Sequence, residues 1–187
     1  MSKKRVFIIH GWVGKPDRHW YPWLKAQLES QGIEVIVPAM PNTEEPKLKE
    51  WLKKIKEVVK KSDENTYLVG HSLGAVTILR YIEKLAPEEK VGGIVLVGGL
   101  IVTKKKKLAD FLKDELYYKK IKSHIAKKIV AIHSDNDPVV PLSDAELVRD
   151  NLDAKLIIVP KAWHFDDADG WTELPQARDI LLKMVEK

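Results

Sequence analysis

Three side chains of complementary type stand just past three short apolar runs: Ser72, Asp137 and His164. Ser72 sits in Gly70-His71-Ser72-Leu73-Gly74, a G-x-S-x-G spacing between the run Tyr67–Val69 and a helical pattern that begins at Leu73. Glycines two positions either side of the serine permit a turn tight enough to lift its hydroxyl clear of the chain. A serine hydroxyl becomes a nucleophile only with a base to take its proton, and the base needs an acid to orient it. Asp137 follows the run Ile129–Ile132 and His164 follows Leu156–Val159, giving the order nucleophile, acid, base. The chemistry this predicts is acyl transfer to Ser72, with His164 as base and Asp137 as its orienter.

Asp135 competes with Asp137 for the orienting role. Pro138, Val139 and Val140 favour Asp137, because they would hold its backbone extended and partly bury its carboxylate. Two backbone N–H groups are candidates for an oxyanion hole. One is Leu73, at the start of the helix; the other is Trp12, in His10-Gly11-Trp12-Val13-Gly14-Lys15 after the first apolar run. That segment fails as a phosphate loop, since a Walker A needs four residues between its glycines and Ser or Thr after its lysine, and here Pro16 follows Lys15. His10 is expected to brace this loop, His71 to point away from the elbow, and His19, His124 and His133 to occupy surface or loop positions. Asp135, Asp137, His164, Asp166, Asp167 and Asp169 could instead supply an oxygen-rich metal site. The last three read better as a solvated loop or the acidic start of a helix near Trp171, so no metal and no cofactor is expected.

The elements that must position these groups alternate. Apolar runs Val6–Ile9, Ile33–Val37, Tyr67–Val69, Gly93–Val97, Ile129–Ile132 and Leu156–Val159 read as strands covered on both faces. Between them lie helical patterns at Trp20–Gln31, Lys47–Lys61, Leu73–Leu85, Ala109–Ile125, Ser143–Asn151 and Thr172–Glu186. Alternation predicts an α/β fold of about six parallel strands with helices on both faces, in one domain over residues 1–187. Ligands bind such sheets beyond the carboxyl ends of the strands, where the reactive loops fall. Residues 98–128 are too few for a cap domain and predict a short lid segment, with Leu100, Ile101 and Val102 at the pocket edge. Trp20, Tyr21 and Trp23 read as mostly core.

Composition narrows the partners. The net charge is +5, yet only five of the 32 basic residues are Arg, and 27 acidic residues are mixed among them. Arg is the preferred reader of phosphates and base edges, so nucleic acid is not an expected partner. The run Lys104–Lys107 reads as a solvated loop or helix start. The longest apolar stretch, Val91–Val102, is too short to span a bilayer, and the first residues lack the apolar core of a signal peptide. With no cysteine and no such segment, a soluble cytoplasmic protein without membrane partners is expected.

His10-Gly11-Trp12, His19-Trp20-Tyr21-Pro22-Trp23-Leu24, Met40-Pro41, Gly-His-Ser-Leu-Gly, Asp137-Pro138-Val139-Val140-Pro141 and Trp163-His164-Phe165 together resemble the small α/β-hydrolases. Nearly the whole chain is similar to the retinoblastoma-binding-protein-9/YdeN-like serine hydrolases. The resemblance implies a compact α/β-hydrolase fold without a large cap, a Ser72, Asp137, His164 triad, and a small ester or amide as substrate. Many members carry a glycine just before the catalytic histidine, where this chain has Ala162-Trp163. The competing readings are a binding protein, or an engineered scaffold, on the same fold with an idle triad. A fluorophosphonate probe, which labels only an activated serine, separates them.

Overall fold

Each apolar run becomes a strand of one parallel sheet in the computed structural model, which describes residues 3–102 and 105–186. The strands are β1 (Arg5–Ile9), β2 (Glu34–Ile36), β3 (Thr66–His71), β4 (Val91–Val97), β5 (Ile125–Ser134) and β6 (Lys155–Val159). Their order across the sheet is β2-β1-β3-β4-β5-β6, with every pair parallel. Successive side chains of a strand point to opposite faces, so one strand feeds two cores. Phe7, Ile9, Leu68, Ile94 and Leu96 pack with α2 (Leu48–Val59), α3 (Leu73–Ile82) and α6 (Leu142–Leu152). Val6, Ile8, Val69, Val95 and Val97 pack with α1 (Tyr21–Glu29) and α7 (Pro175–Val185) on the other face. Coverage on both faces explains the unbroken apolar runs of β1, β3 and β4. At the sheet edge, β6 departs from that expectation, and Ile158 is 47% exposed.

The continuous helix expected over Ala109–Ile125 is broken in two: α4 (Ala109–Leu112) and α5 (Tyr118–Ser123), with Ile125 already in β5. The cause is a buried cation on α3. Arg80 donates to the carbonyls of Phe111 (3.1 Å), Asp114 and Glu115 (3.2 Å), and pairs with Glu83 at 3.0 Å. In a continuous helix those carbonyls would accept from N–H groups four residues on. Glu83 takes the N–H of Tyr117 as well (2.7 Å). Before this segment, buried Asp144 of α6 accepts from the N–H groups of Ile101 (2.6 Å) and Val102 (2.8 Å). The stretch between β4 and β5 thus carries two short helices and no large cap. Lys104 of the lysine run lies outside the described residues, while Lys106–Leu108 form a single 3-10 turn. The last helix starts at Pro175 rather than Thr172, because proline suits a first helical turn. No described helix is long and apolar enough to cross a membrane.

Candidate active site

The reactive loops leave the carboxyl ends of β1, β3, β5 and β6. Ser72 lies between β3 and α3 with φ 53° and ψ −120°, a conformation strained for any residue with a side chain. Close packing enforces it. A Cβ on Gly74 would sit 2.1 Å from the Ile9 carbonyl oxygen, so α3 can start hard against β1 only with glycine there. The Ser72 N–H donates to Val97 (3.0 Å) and its carbonyl accepts from Ala75 (3.0 Å) and Leu100 (3.1 Å), which locks the turn to β4. The Ser72 hydroxyl itself makes no hydrogen bond among the described residues.

Asp137 and His164 meet as the sequence predicts. His164 Nδ1 lies 2.7 Å from Asp137 Oδ2, and the carboxylate side chain is fully buried. An ionised carboxylate only accepts, so Nδ1 carries the proton and Nε2 of the neutral ring keeps a lone pair. The other carboxylate oxygen accepts from the N–H groups of Val139 (2.8 Å) and Val140 (2.9 Å). Strand β4 separates β3 from β5, so this pair must reach over its end. Gly98 makes the crossing there with φ 49°, and a Cβ on it would already touch Asp137 and His164 at 3.4 Å.

Asp135 takes a different part. It accepts the Lys161 N–H at 2.8 Å, while Asn136 accepts that of Trp163 (2.9 Å) and the Ser134 hydroxyl that of Ala162 (2.9 Å). Three successive side chains at the end of β5 and just beyond it therefore clasp the backbone that carries His164. Sequence reasoning missed this clasp, although the Ser-Asp-Asn-Asp run was its visible signal. Trp163 has φ 51°, so the left-handed conformation that glycine adopts freely is kept here by a bulky residue, 49% exposed.

Two buried histidines brace the site. Met40 N–H donates to His10 Nε2 (3.1 Å), so His10 Nδ1–H donates to the Gly11 carbonyl (2.9 Å). Gly14 N–H also donates to that carbonyl (3.1 Å). In a trans peptide the N–H points opposite the C=O, so the Trp12 N–H is turned away from these partners. Neither it nor the Leu73 N–H donates to a described group. His71 lies beneath the elbow, where Nε2–H donates to the His164 carbonyl (2.8 Å) and Nδ1 accepts from Tyr21 (2.6 Å). Burial holds both imidazoles below the usual histidine range, His71 far below it, and raises the Tyr21 hydroxyl well above its own. Trp20 and Tyr21 are core, as expected, and Trp23 is partly buried under Arg178.

His19, in a loop as expected, also lines the site. Its Nδ1 accepts the Asp167 N–H (3.0 Å) and lies 3.7 Å from Asp166, while Arg18 holds Asp167 through two bonds of 2.6 and 3.1 Å. The Arg18 hydrogen bond drives the Asp167 carboxyl far below the ordinary range, whereas burial raises that of Asp166 and lowers His19. Asp167–Asp169 form a 3-10 turn, not the start of a helix; His124 is buried in the turn before β5, and His133 is buried within β5 rather than at the surface or in a loop. The six-residue oxygen-rich set is not gathered into one metal site. Among the described residues, the acceptor atoms of His19, His71 and Asp166 do come within 4.8 Å of one another, with both His71 nitrogens already hydrogen-bonded. Ser72, His164, Trp12, His19 and Asp166 all line a cleft of about 380 Å³.

A parallel sheet in this order, with a strained serine elbow after its third strand, is the α/β-hydrolase fold. The chain belongs to the serine hydrolase family, whose profile matches residues 6–183. It is 36% identical over 186 residues to YdeN of Bacillus subtilis (strain 168), covering 98% of this chain and 97% of that one. The YdeN crystal structure superposes with a TM-score of 0.94 over 99% of this chain and 100% of that one, at 35% identity. Serine hydrolase RBBP9 of Rattus norvegicus is 27% identical over 171 residues, 89% of each chain. Est1E from Butyrivibrio proteoclasticus shares the fold, with a TM-score of 0.75 at 16% identity over 99% of this chain and 89% of that one.

Proposed function

We propose that this hydrolase is a carboxylesterase-like enzyme that cleaves small esters, and amides of similar size, through an acyl-enzyme on Ser72. The observation that carries the reading is the 2.7 Å bond from His164 Nδ1 to buried Asp137, with the free Nε2 lone pair on a ring that lines the Ser72 cleft. His164 Nε2 takes the hydroxyl proton as Ser72 Oγ attacks the acyl carbon. The Leu73 and Trp12 N–H groups receive the oxyanion, and the start of α3 adds its positive end. Collapse breaks the acyl–oxygen bond, and the proton on Nε2 passes to the leaving oxygen. A water, activated by the same nitrogen, then releases the acid and restores Ser72. The hydrogen bond from Ser72 to His164 must form within this cycle, and such contacts commonly tighten when substrate binds.

Asp137 supplies orientation and charge, not proton transfer. Asp135 accepts the Lys161 N–H instead. The cysteine-free composition suits a reducing compartment, which supports a cytoplasmic setting. The test is fluorophosphonate labelling together with p-nitrophenyl ester hydrolysis. Labelling at Ser72 with turnover of acetyl or butyryl esters is the expected result. A chain that neither labels nor turns over is a binding protein with an idle triad.

A further inference from the structure

The loop that carries His164 is strained on both sides of it. Lys161 (φ 55°), Trp163 (φ 51°) and Phe165 (φ 60°) stand in left-handed backbone at alternate positions, a conformation costly for any residue with a Cβ. Backbone that alternates in hand turns successive N–H groups to one side. Here the N–H groups of Lys161, Ala162 and Trp163 meet Asp135, Ser134 and Asn136 respectively. The next residue, Asp137, holds the His164 ring. Four consecutive residues thus fix this histidine, three through its backbone and one through its imidazole.

The left-handed residues are not held alike. Phe165 is fully buried and packs on Trp171, with ring centres 5.2 Å apart. Trp163, directly before His164, is half exposed, so its angle depends most on the bond its N–H donates to Asn136 Oδ1 (2.9 Å). The Ser134 hydroxyl donates to the same oxygen (2.7 Å) and accepts from the Asn136 N–H (3.3 Å), which fixes the amide in turn. Rotation of the backbone at Trp163 would swing the imidazole off Asp137. We propose that Asn136 is a positioning residue for the base: its amide oxygen keeps Trp163 left-handed, and that angle sets the direction of the His164 ring. The inference rests on the acyl-enzyme reading above, in which His164 is the base.

The test is p-nitrophenyl butyrate hydrolysis by variants at the two positions. Water can reach the Trp163 N–H once Asn136 is cut back, so Asn136→Ala should keep the circular dichroism of the parent, but water does not fix the angle. Its kcat should fall about ten- to hundred-fold, the scale of a small misplacement, with KM changed less than about two-fold. Asn136→Asp keeps both acceptor roles and should lose no more than about three-fold. The cost of Asn136→Ala should shrink to about two- to three-fold on a Trp163→Gly background, where the left-handed angle is free of strain, and grow on Trp163→Val. With Asn136 in place, Trp163→Val should itself have a lower kcat than Trp163→Gly, which keeps the test sharp even if Asn136→Ala fails to fold. Equal costs on the three backgrounds, a loss carried by KM, no recovery with Asn136→Asp, or Trp163→Val as fast as Trp163→Gly would overturn the positioning role while Ser72 still labels. A parent chain that neither labels with fluorophosphonate nor hydrolyses the ester would overturn the catalytic reading and this inference with it.

Discussion

The loops around Ser72 and the stretch between β4 and β5 are held in place by different means. At the elbow, backbone rests on backbone: α3 meets β1 where only hydrogen fits on Gly74, and Ser72 is tied to Val97 and Leu100. In the other region, the backbone hangs on two buried charged side chains supplied by neighbouring helices, Arg80 and Asp144. The proposed nucleophile is thus fixed by short-range packing. Val102, which borders a second cavity at Ser72, is held instead by Asp144 of a neighbouring helix.

The severest test of that division is at the proposed nucleophile. Ser72→Ala should abolish probe labelling and lower ester turnover by about 10⁴-fold or more, with the circular dichroism spectrum unchanged. Labelling that survives would place the nucleophile elsewhere. Next comes the orienting acid. Asp137→Asn should cost about 10³- to 10⁴-fold in kcat, because an amide favours the wrong imidazole tautomer. Asp135→Asn should cost far less, and a reversal of the two would exchange their roles.

At the second region the readout is stability. Arg80→Met strands three carbonyls and Glu83, and should cost about 3 kcal/mol in urea unfolding. Hydrogen exchange should accelerate in residues 105–124 and leave the elbow amides protected. Uniform acceleration would mean that the two regions open as one and would end the comparison.

The smallest effect is with pH. Burial lowers the folded pKa of His71 and His10 below the ordinary 6.5, so below that pH the unfolded chain binds more protons. Stability should fall as pH drops from about 6.5 toward the folded values. His71→Gln should flatten the slope of the urea midpoint against pH; an unchanged slope would clear this imidazole of the effect.

The same contrast decides what was legible beforehand. The six strands, Ser72, Asp137 and His164 were readable because each rests on local pattern: an apolar run, a glycine spacing, a chain order. The two-helix break at residues 113–117 was not, since the sequence there is helix-like and the partner that overrides it, Arg80, lies more than thirty residues away. The Arg18, His19 and Asp167 contacts join positions about 150 residues apart and leave no periodic trace. The edge character of β6 follows from its place in the sheet, which its apolar composition does not reveal.

The backbone angle at Ser72 carries a last consequence. A residue with a side chain at φ 53° raises the energy of every folded copy by about 1–3 kcal/mol, whether or not a substrate is ever met. Selection for thermal resistance alone would therefore discard Ser72 early. Ser72→Gly should melt later than the parent, gaining about 1 kcal/mol, and be inert. A library screened only for survival of heating would drift toward a handsome, lifeless fold, and only a simultaneous demand for turnover would hold the serine in its uncomfortable place.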